Sequence, residues 1–156
     1  MMRCPEDYVG RWLSILYRMT MSHVAQELKA YGIGSGQAMF LLELFHRDGM
    51  RQEELSRLLN IDGANTTRAI TKLVQEGYVV RRPDPEDGRA YRIYLTEKAV
   101  ELRADLCGVL RRWDDYLLAG LTHTEKALFL QLLKKTGQAV ADTGRCSSCE
   151  LSTRCS

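Results

Sequence analysis

The stretch from Asn60 to Thr96 constrains the fold more than any other, because within it the hydrophobic period switches from that of a helix to that of a strand. A turn through Asn60, Ile61, Asp62 and Gly63 leads into a helix over Ala64 to Glu76. That helix carries Ala69, Ile70, Leu73 and Val74 on one side and Asn65, Thr66, Thr67, Arg68, Thr71, Lys72 and Gln75 around the other. Its apolar stripe is narrow, which leaves a broad exposed polar face. Gly77 stops the helix, and alternation in Tyr78 to Arg82 and again in Tyr91, Ile93 and Leu95 predicts two strands. Pro83, Pro85 and Gly88 confine the turn between them.

The flanking segments read as helices. From Pro5 to Tyr31 apolar residues recur at helical spacing (Tyr8, Val9, Trp12, Ile15, Leu16, Met19, Val24, Leu28), and Gly32 and Gly34 end the run. Ser35 is placed to cap a second, more uniformly apolar helix over Gln37 to Arg47, which Asp48 and Gly49 close. Arg51 to Leu59 gives a third, with Leu55, Leu58 and Leu59 inward. After the ribbon, Thr96 opens a helix striped by Leu102, Leu106, Val109, Leu110, Trp113, Tyr116 and Leu117. The capping box Thr122, His123, Thr124, Glu125 opens another, carrying Leu128, Phe129, Leu132, Leu133 and Val140. The terminal helices hold more apolar surface than a small central lobe covers, so they predict a helical dimer interface, the alternative being that they pack within the chain onto the central lobe.

The fold class is therefore mainly α with a small β-wing. Residues 1–34 and 97–143 are expected to form a helical dimerisation lobe, 35–96 a winged helix-turn-helix lobe, and 144–156 a cysteine-rich tail. The 45% hydrophobic and 27% charged residues of the 156 are ordinary for a globular chain. No run approaches the length of a membrane span, and MMRCPEDYVG has acidic residues and no apolar signal core, so a soluble, cytoplasmic protein without a membrane partner is expected. The net charge of +2 does not by itself indicate nucleic-acid binding, so that case rests on where the cations sit.

Two helices joined by a short turn, the second polar outside and followed by an arginine-bearing ribbon, have the parts needed to read double-stranded DNA. A helix fills the major groove, and an arginine on a ribbon tip enters the minor groove beside it. Asn65, Thr66 and Thr67 can bond base edges or hold phosphates, and Thr71 lies on the same polar side. Arg68 and Lys72, one turn apart, share a face; Arg suits bidentate guanine readout and Lys suits phosphate. The alternative makes Arg82, Arg89 and Arg92 solvated charges paired with Asp84, Glu86 and Asp87.

The segments YGIGSGQAMFLLEL, QEELSRLLNIDGANTTRAITKLVQEGYVVRR and DGRAYRIYLTEKA together resemble the MarR family of transcriptional regulators, over nearly everything from Tyr8 to Val140. The wing pattern Asp87-x-Arg89 leading to Leu95-Thr96 is the most family-specific of these. The resemblance implies a homodimeric repressor on a pseudo-palindromic operator, with Arg89 in the minor groove, Asp87 orienting it, and Arg82 and Arg92 on the backbone. It also implies a small-molecule effector or an oxidative input where the dimer helices meet the DNA-binding lobe. Trp12, Ile15, Met19, His23, Met39 and His46 are the candidates for lining that crevice. In the peroxide-sensing branch of the family a reactive cysteine sits shortly before a tyrosine of the first helix; here Ser14 stands three residues before Tyr17, which argues against that route.

The last eleven residues, CSSCELSTRCS, contain Cys146, Cys149 and Cys155. A Cys-x2-Cys pair gives two thiolates for one soft ion, a third follows, and Cys4 is a candidate fourth ligand for zinc or an iron-sulfur cluster. Incidental thiols and a reversible disulfide switch are the competing readings. Two further alternatives for the whole chain are a winged-helix protein-association module and a thiol-based redox or metal sensor dominated by the tail. A thiol oxidoreductase lacks a βαβ context around the pair, and no other catalytic set assembles, so no enzyme is expected.

Overall fold

The computed structural model describes residues 5–142. In chain order the elements are α1 (Val9–Glu27), α2 (Ser35–His46), β1 (Met50–Arg51), α3 (Gln52–Leu58), α4 (Gly63–Gln75), β2 (Val79–Pro83), β3 (Tyr91–Leu95), α5 (Glu97–Leu117) and α6 (His123–Asp142). The architecture is mainly α with one small antiparallel sheet of order β1-β3-β2. Among the described residues, no helix is long and apolar enough to cross a membrane.

The first helix starts later than the sequence suggests. Pro5–Asp7 forms a separate 3-10 turn, tied on by the Trp12 indole, which donates to the Glu6 carbonyl at 3.0 Å. At the other end the last turn tightens into 3-10 geometry over Lys29–Tyr31 before Gly32 turns left-handed. The second helix begins at Ser35 and not at Gln37, with Gly34 as its N-cap; the Gln37 side chain accepts the Gly34 amide at 2.6 Å, so Ser35 is not the cap. Thr96 and Thr122 act as the sequence predicts. The Thr96 hydroxyl accepts from the Ala99 amide, while Thr122 and Glu125 bond reciprocally.

Strand β1 is the element that sequence patterning does not reveal. Two residues cannot display alternation, yet Met50 pairs with Ile93 and Arg51 with Arg92, adding a third strand to the wing. Gly49 makes the approach feasible: its φ is +72°, and a Cβ there would sit 2.7 Å from the Tyr94 ring.

The core lies where α2 is enclosed. Phe40, Leu41 and Leu44 of α2 pack in one cluster with Val24 and Leu28 from the first helical segment, Leu55 of α3, Ile70 and Leu73 of α4, Ile93 of β3, and Leu102 and Leu106 of α5. Each fully buried side chain of this size contributes about 1.5–3 kcal/mol relative to exposure. This core fixes α4 and the wing against α2, so the DNA-facing candidates project from a rigid base. By contrast, none of the α6 residues from His123 to Ala141 is buried, and Leu128, Leu130, Leu132, Leu133 and Val140 are all exposed. Val9, Trp12, Tyr17 and Met19 of α1 are also exposed.

Candidate nucleic-acid interface

The turn between α3 and α4 sets the angle of the polar helix. Asn60 adopts a positive φ of 51°, which asparagine tolerates, and the Ser56 hydroxyl donates to the Ile61 carbonyl at 2.6 Å. Asp62 then caps α4 by accepting from the Asn65 amide at 2.8 Å. These amides, and the Asn65 side-chain amide, hold the Asp62 carboxyl below the usual carboxylate range.

On α4, Asn65, Thr67, Arg68, Thr71 and Lys72 are exposed. Thr66 is not: it is fully buried, its hydroxyl 3.4 Å from the Ile61 carbonyl. Thr66, Ala69, Ile70 and Leu73 stand at i, i+3, i+4 and i+7 and form the buried stripe, whereas Val74, assigned inward from sequence, is 40% exposed. Thr66 is therefore a packing residue and reaches no base edge. Asn65 is engaged internally, donating its side-chain amide to Asp62 and accepting from Arg68 Nη2 at 2.6 Å. Lys72 pairs with Glu76 at 2.6 Å, an exposed i,i+4 bridge. Gln52, at the start of α3, donates to the Thr67 hydroxyl at 3.0 Å and so fastens the first helix of the motif to the exposed face of the second.

The wing is organised by one carboxylate. Asp84 is 2% exposed, and its Oδ2 lies 2.6 Å from Arg51 Nε and 2.8 Å from Arg92 Nε. Strand register explains the need for it: Arg92 sits opposite Arg51 on one side and Arg82 on the other, a cross-strand row of like charges. The Arg51 guanidinium, hydrogen-bonded to Asp84, holds its carboxyl down at about 2, assisted by the Glu86 amide. Arg92 also donates to the Gly49 carbonyl at 3.1 Å. It is thus a structural cation inside the wing and not the free backbone contact that the sequence suggests. Neither Arg51 nor Asp84 belongs to the sequence-predicted set. Their partnership spans thirty-three positions, which no local pattern reveals.

At the tip, Arg89 and Arg82 are exposed and enter no ion pair among the described residues. Arg82 lies over the Tyr94 ring at 5.3 Å. Asp87 accepts from the Arg89 backbone amide at 3.0 Å and its own carbonyl accepts from Ala90, so it shapes the loop and leaves the Arg89 guanidinium unrestrained. The pairing of Arg82, Arg89 and Arg92 with the wing acids is found only for Arg92.

The six expected crevice residues are not joined to one another by any hydrogen bond or ring contact among the described residues. Trp12, Met19 and His46 are exposed, while Ile15, His23 and Met39 are half-buried. His23 stacks on Trp113 at 4.7 Å, and that indole donates to Thr20 at 2.8 Å. Among the described residues no group of three or more His, Cys, Asp or Glu could hold a metal ion. Cys4, Cys146, Cys149 and Cys155 lie outside the described residues, and Cys107 is a half-buried free thiol in α5.

A helix-turn-helix whose second helix is polar outside, backed by a three-stranded wing with an open arginine tip, defines a winged-helix DNA-binding protein. A family model for the MarR family matches residues 33–91. The chain is 37% identical to a MarR transcriptional regulator from Methanosarcina mazei Go1, whose crystal structure superposes with a TM-score of 0.81 over 86% of this chain and 99% of that one. A MarR protein from Peptoclostridium difficile is 30% identical, with a TM-score of 0.83 over 90% and 92% of the two chains. The HTH-type transcriptional regulator BilQ of Clostridium symbiosum is 30% identical over 72% of this chain and 78% of its own length. The BilQ of Clostridioides difficile is 29% identical, over 63% of this chain and 66% of its own length, just under two thirds. The chain belongs to the MarR family of DNA-binding transcriptional regulators.

Proposed function

We propose that the protein is a homodimeric repressor that binds a pseudo-palindromic operator through α4 and the wing. The observation that carries this reading is the contrast within one lobe: Arg51 and Arg92 share a buried carboxylate, while Arg82 and Arg89 on the wing are exposed and in no ion pair among the described residues, and Arg68 is exposed on α4. Solvated surface charges need no buried acid to hold their loop, whereas an arginine inserted into a minor groove requires a stiff mount. The exposed apolar faces of α1 and α6 supply the dimer contact, which sets the two α4 helices about one DNA turn apart, on the order of 34 Å.

The domain division of the sequence reading goes with this function: residues 35–96 read DNA, and 1–34 with 97–143 dimerise. A small-molecule effector would act where α1 and α5 meet the reading lobe, and thiol or metal input falls to Cys146, Cys149, Cys155 and Cys4 on their sequence spacing alone.

The test is selection of a bound duplex from a random pool, followed by fluorescence anisotropy with wild type and Arg89→Ala. The expected result is an inverted-repeat site, a loss of affinity of about tenfold or more, and a salt dependence reduced by about one counterion per wing. A winged helix used only for protein association would select no sequence and lose nothing with Arg89.

A further inference from the structure

We infer that Asp62 and Asn65 are positioning residues that hold Arg68 for guanine, so that α4 reads a guanine in each half-site and Asn65 does not itself read a base. The inference rests on the DNA-reading function proposed above and specifies what that face recognises.

The three residues stand at successive i+3 steps, which aligns them along one side of the helix entry. The Asp62 carboxylate accepts the Asn65 side-chain amide, and the Asn65 carbonyl oxygen accepts Arg68 Nη2 at 2.6 Å. Both ends of the asparagine amide are thus occupied. Adenine readout by asparagine needs that carbonyl and that amide turned together toward N6 and N7, and the bonds to Asp62 and Arg68 hold the amide toward its helix neighbours instead. Arg68 makes no other hydrogen bond among the described residues, so its Nε, its Nη1 and the second N–H of Nη2 remain open. A guanidinium held through one N–H of Nη2 still presents the other, together with Nε or Nη1, as a fork for the O6 and N7 acceptors of guanine, which sit side by side in the major groove.

Holding the arginine beforehand also reduces the rotamer freedom lost on docking, which is large for this side chain. The placement of Asp62 fits the same account. A carboxylate at a DNA-facing helix start repels phosphate, and a serine cap would avoid that penalty; a relay that ends on an arginine gives the negative charge a use.

The experiment uses the full chain and the duplex that wild type selects. Dissociation constants are measured for that duplex with each guanine replaced in turn by adenine or by 7-deazaguanine, which lacks the N7 acceptor. Wild type is expected to lose about tenfold to a hundredfold at one guanine per half-site, and Arg68→Ala is expected to abolish that discrimination. Asn65→Ala and Asp62→Asn, the second of which keeps a capping side chain, are expected to shrink the discrimination several-fold. Affinity for non-specific DNA should stay at the wild-type value in Asn65→Ala and hold or rise in Asp62→Asn, which loses a charge that repels phosphate, whereas damage to the helix itself would lower it in both. Unchanged discrimination in both variants overturns the relay, as does an Asn65→Ala variant that relaxes preference at an adenine instead. If wild type selects no sequence at all, the DNA-reading function fails and the relay falls with it.

Discussion

Replacing Thr66 with valine separates a threonine that reads DNA from one that packs the helix. The residue has no exposed surface, and its hydroxyl makes a single long contact, 3.4 Å to the Ile61 carbonyl. That carbonyl keeps its shorter bond from Ser56 at 2.6 Å in the variant, so no buried acceptor is orphaned. A hydrogen bond of ordinary geometry contributes about 0.5–1.5 kcal/mol net, and one this long belongs at or below the bottom of that range. Valine fills the same β-branched volume and carries no polar group to desolvate. The expected change in stability is within about 0.5 kcal/mol, which for a chain of this size moves the melting temperature by about 2 °C or less. Affinity for a selected duplex should stay within about twofold of wild type, measured by anisotropy with the exposed neighbour variant Thr67→Val in parallel. Loss of a hydroxyl that touched DNA would instead weaken binding by about tenfold, near 1.4 kcal/mol. A tenfold loss for Thr66→Val at an unchanged melting temperature would refute the packing role.

Three further outcomes follow from the same geometry. Asp84 is ionised far more easily folded than unfolded, so its contribution to stability is complete above the ordinary value of 3.8 and is lost as pH falls from there through about 2; thermal melts from pH 5 to 2 should show a steeper decline for wild type than for Asp84→Asn, which is expected to be less stable at pH 7 because Arg51 and Arg92 then face each other unscreened. Leu128→Asp with Leu132→Asp places charges on the exposed face of α6, and sedimentation should show a dimer becoming a monomer that retains its helical content. Replacing Cys146, Cys149 and Cys155 together by serine is expected to remove any response of operator affinity to chelator or reductant; if the wild-type titrations already coincide under all conditions, the tail has no sensing role.

Local signals in the sequence survive into the structure and distant ones do not. Thr96, Thr122 and Gly77 mark element ends because the helix-capping bonds of the two threonines fall within three residues of themselves and the positive φ of Gly77 lies in its own backbone. The inner stripe of α4 is legible at Ala69, Ile70 and Leu73 but not at its edges: Thr66 is buried where a hydroxyl suggests solvent, its burial depending on a carbonyl supplied by the preceding turn, and Val74 is exposed. Arg92 misleads for a different reason. An arginine in a wing looks like a DNA contact until the β2–β3 hairpin brings Asp84 beside it and β1, a strand too short to leave a pattern, brings Gly49 and Arg51. The crevice residues depend on packing between helices and, in a dimer, between copies, which spacing along one helix does not encode.

That short strand has a mechanical consequence. Met50 and Arg51 belong to the sheet, and α3 starts at the very next residue, so the wing and the helix-turn-helix share one uninterrupted piece of backbone with no hinge between them. Gln52 then links the start of α3 to α4 through Thr67. The wing tip and the reading helix therefore travel as a single lever. In the proposed dimer, a signal arriving through α1 or α5 would change the distance between two such levers, and with it the fit to DNA, without loosening either one.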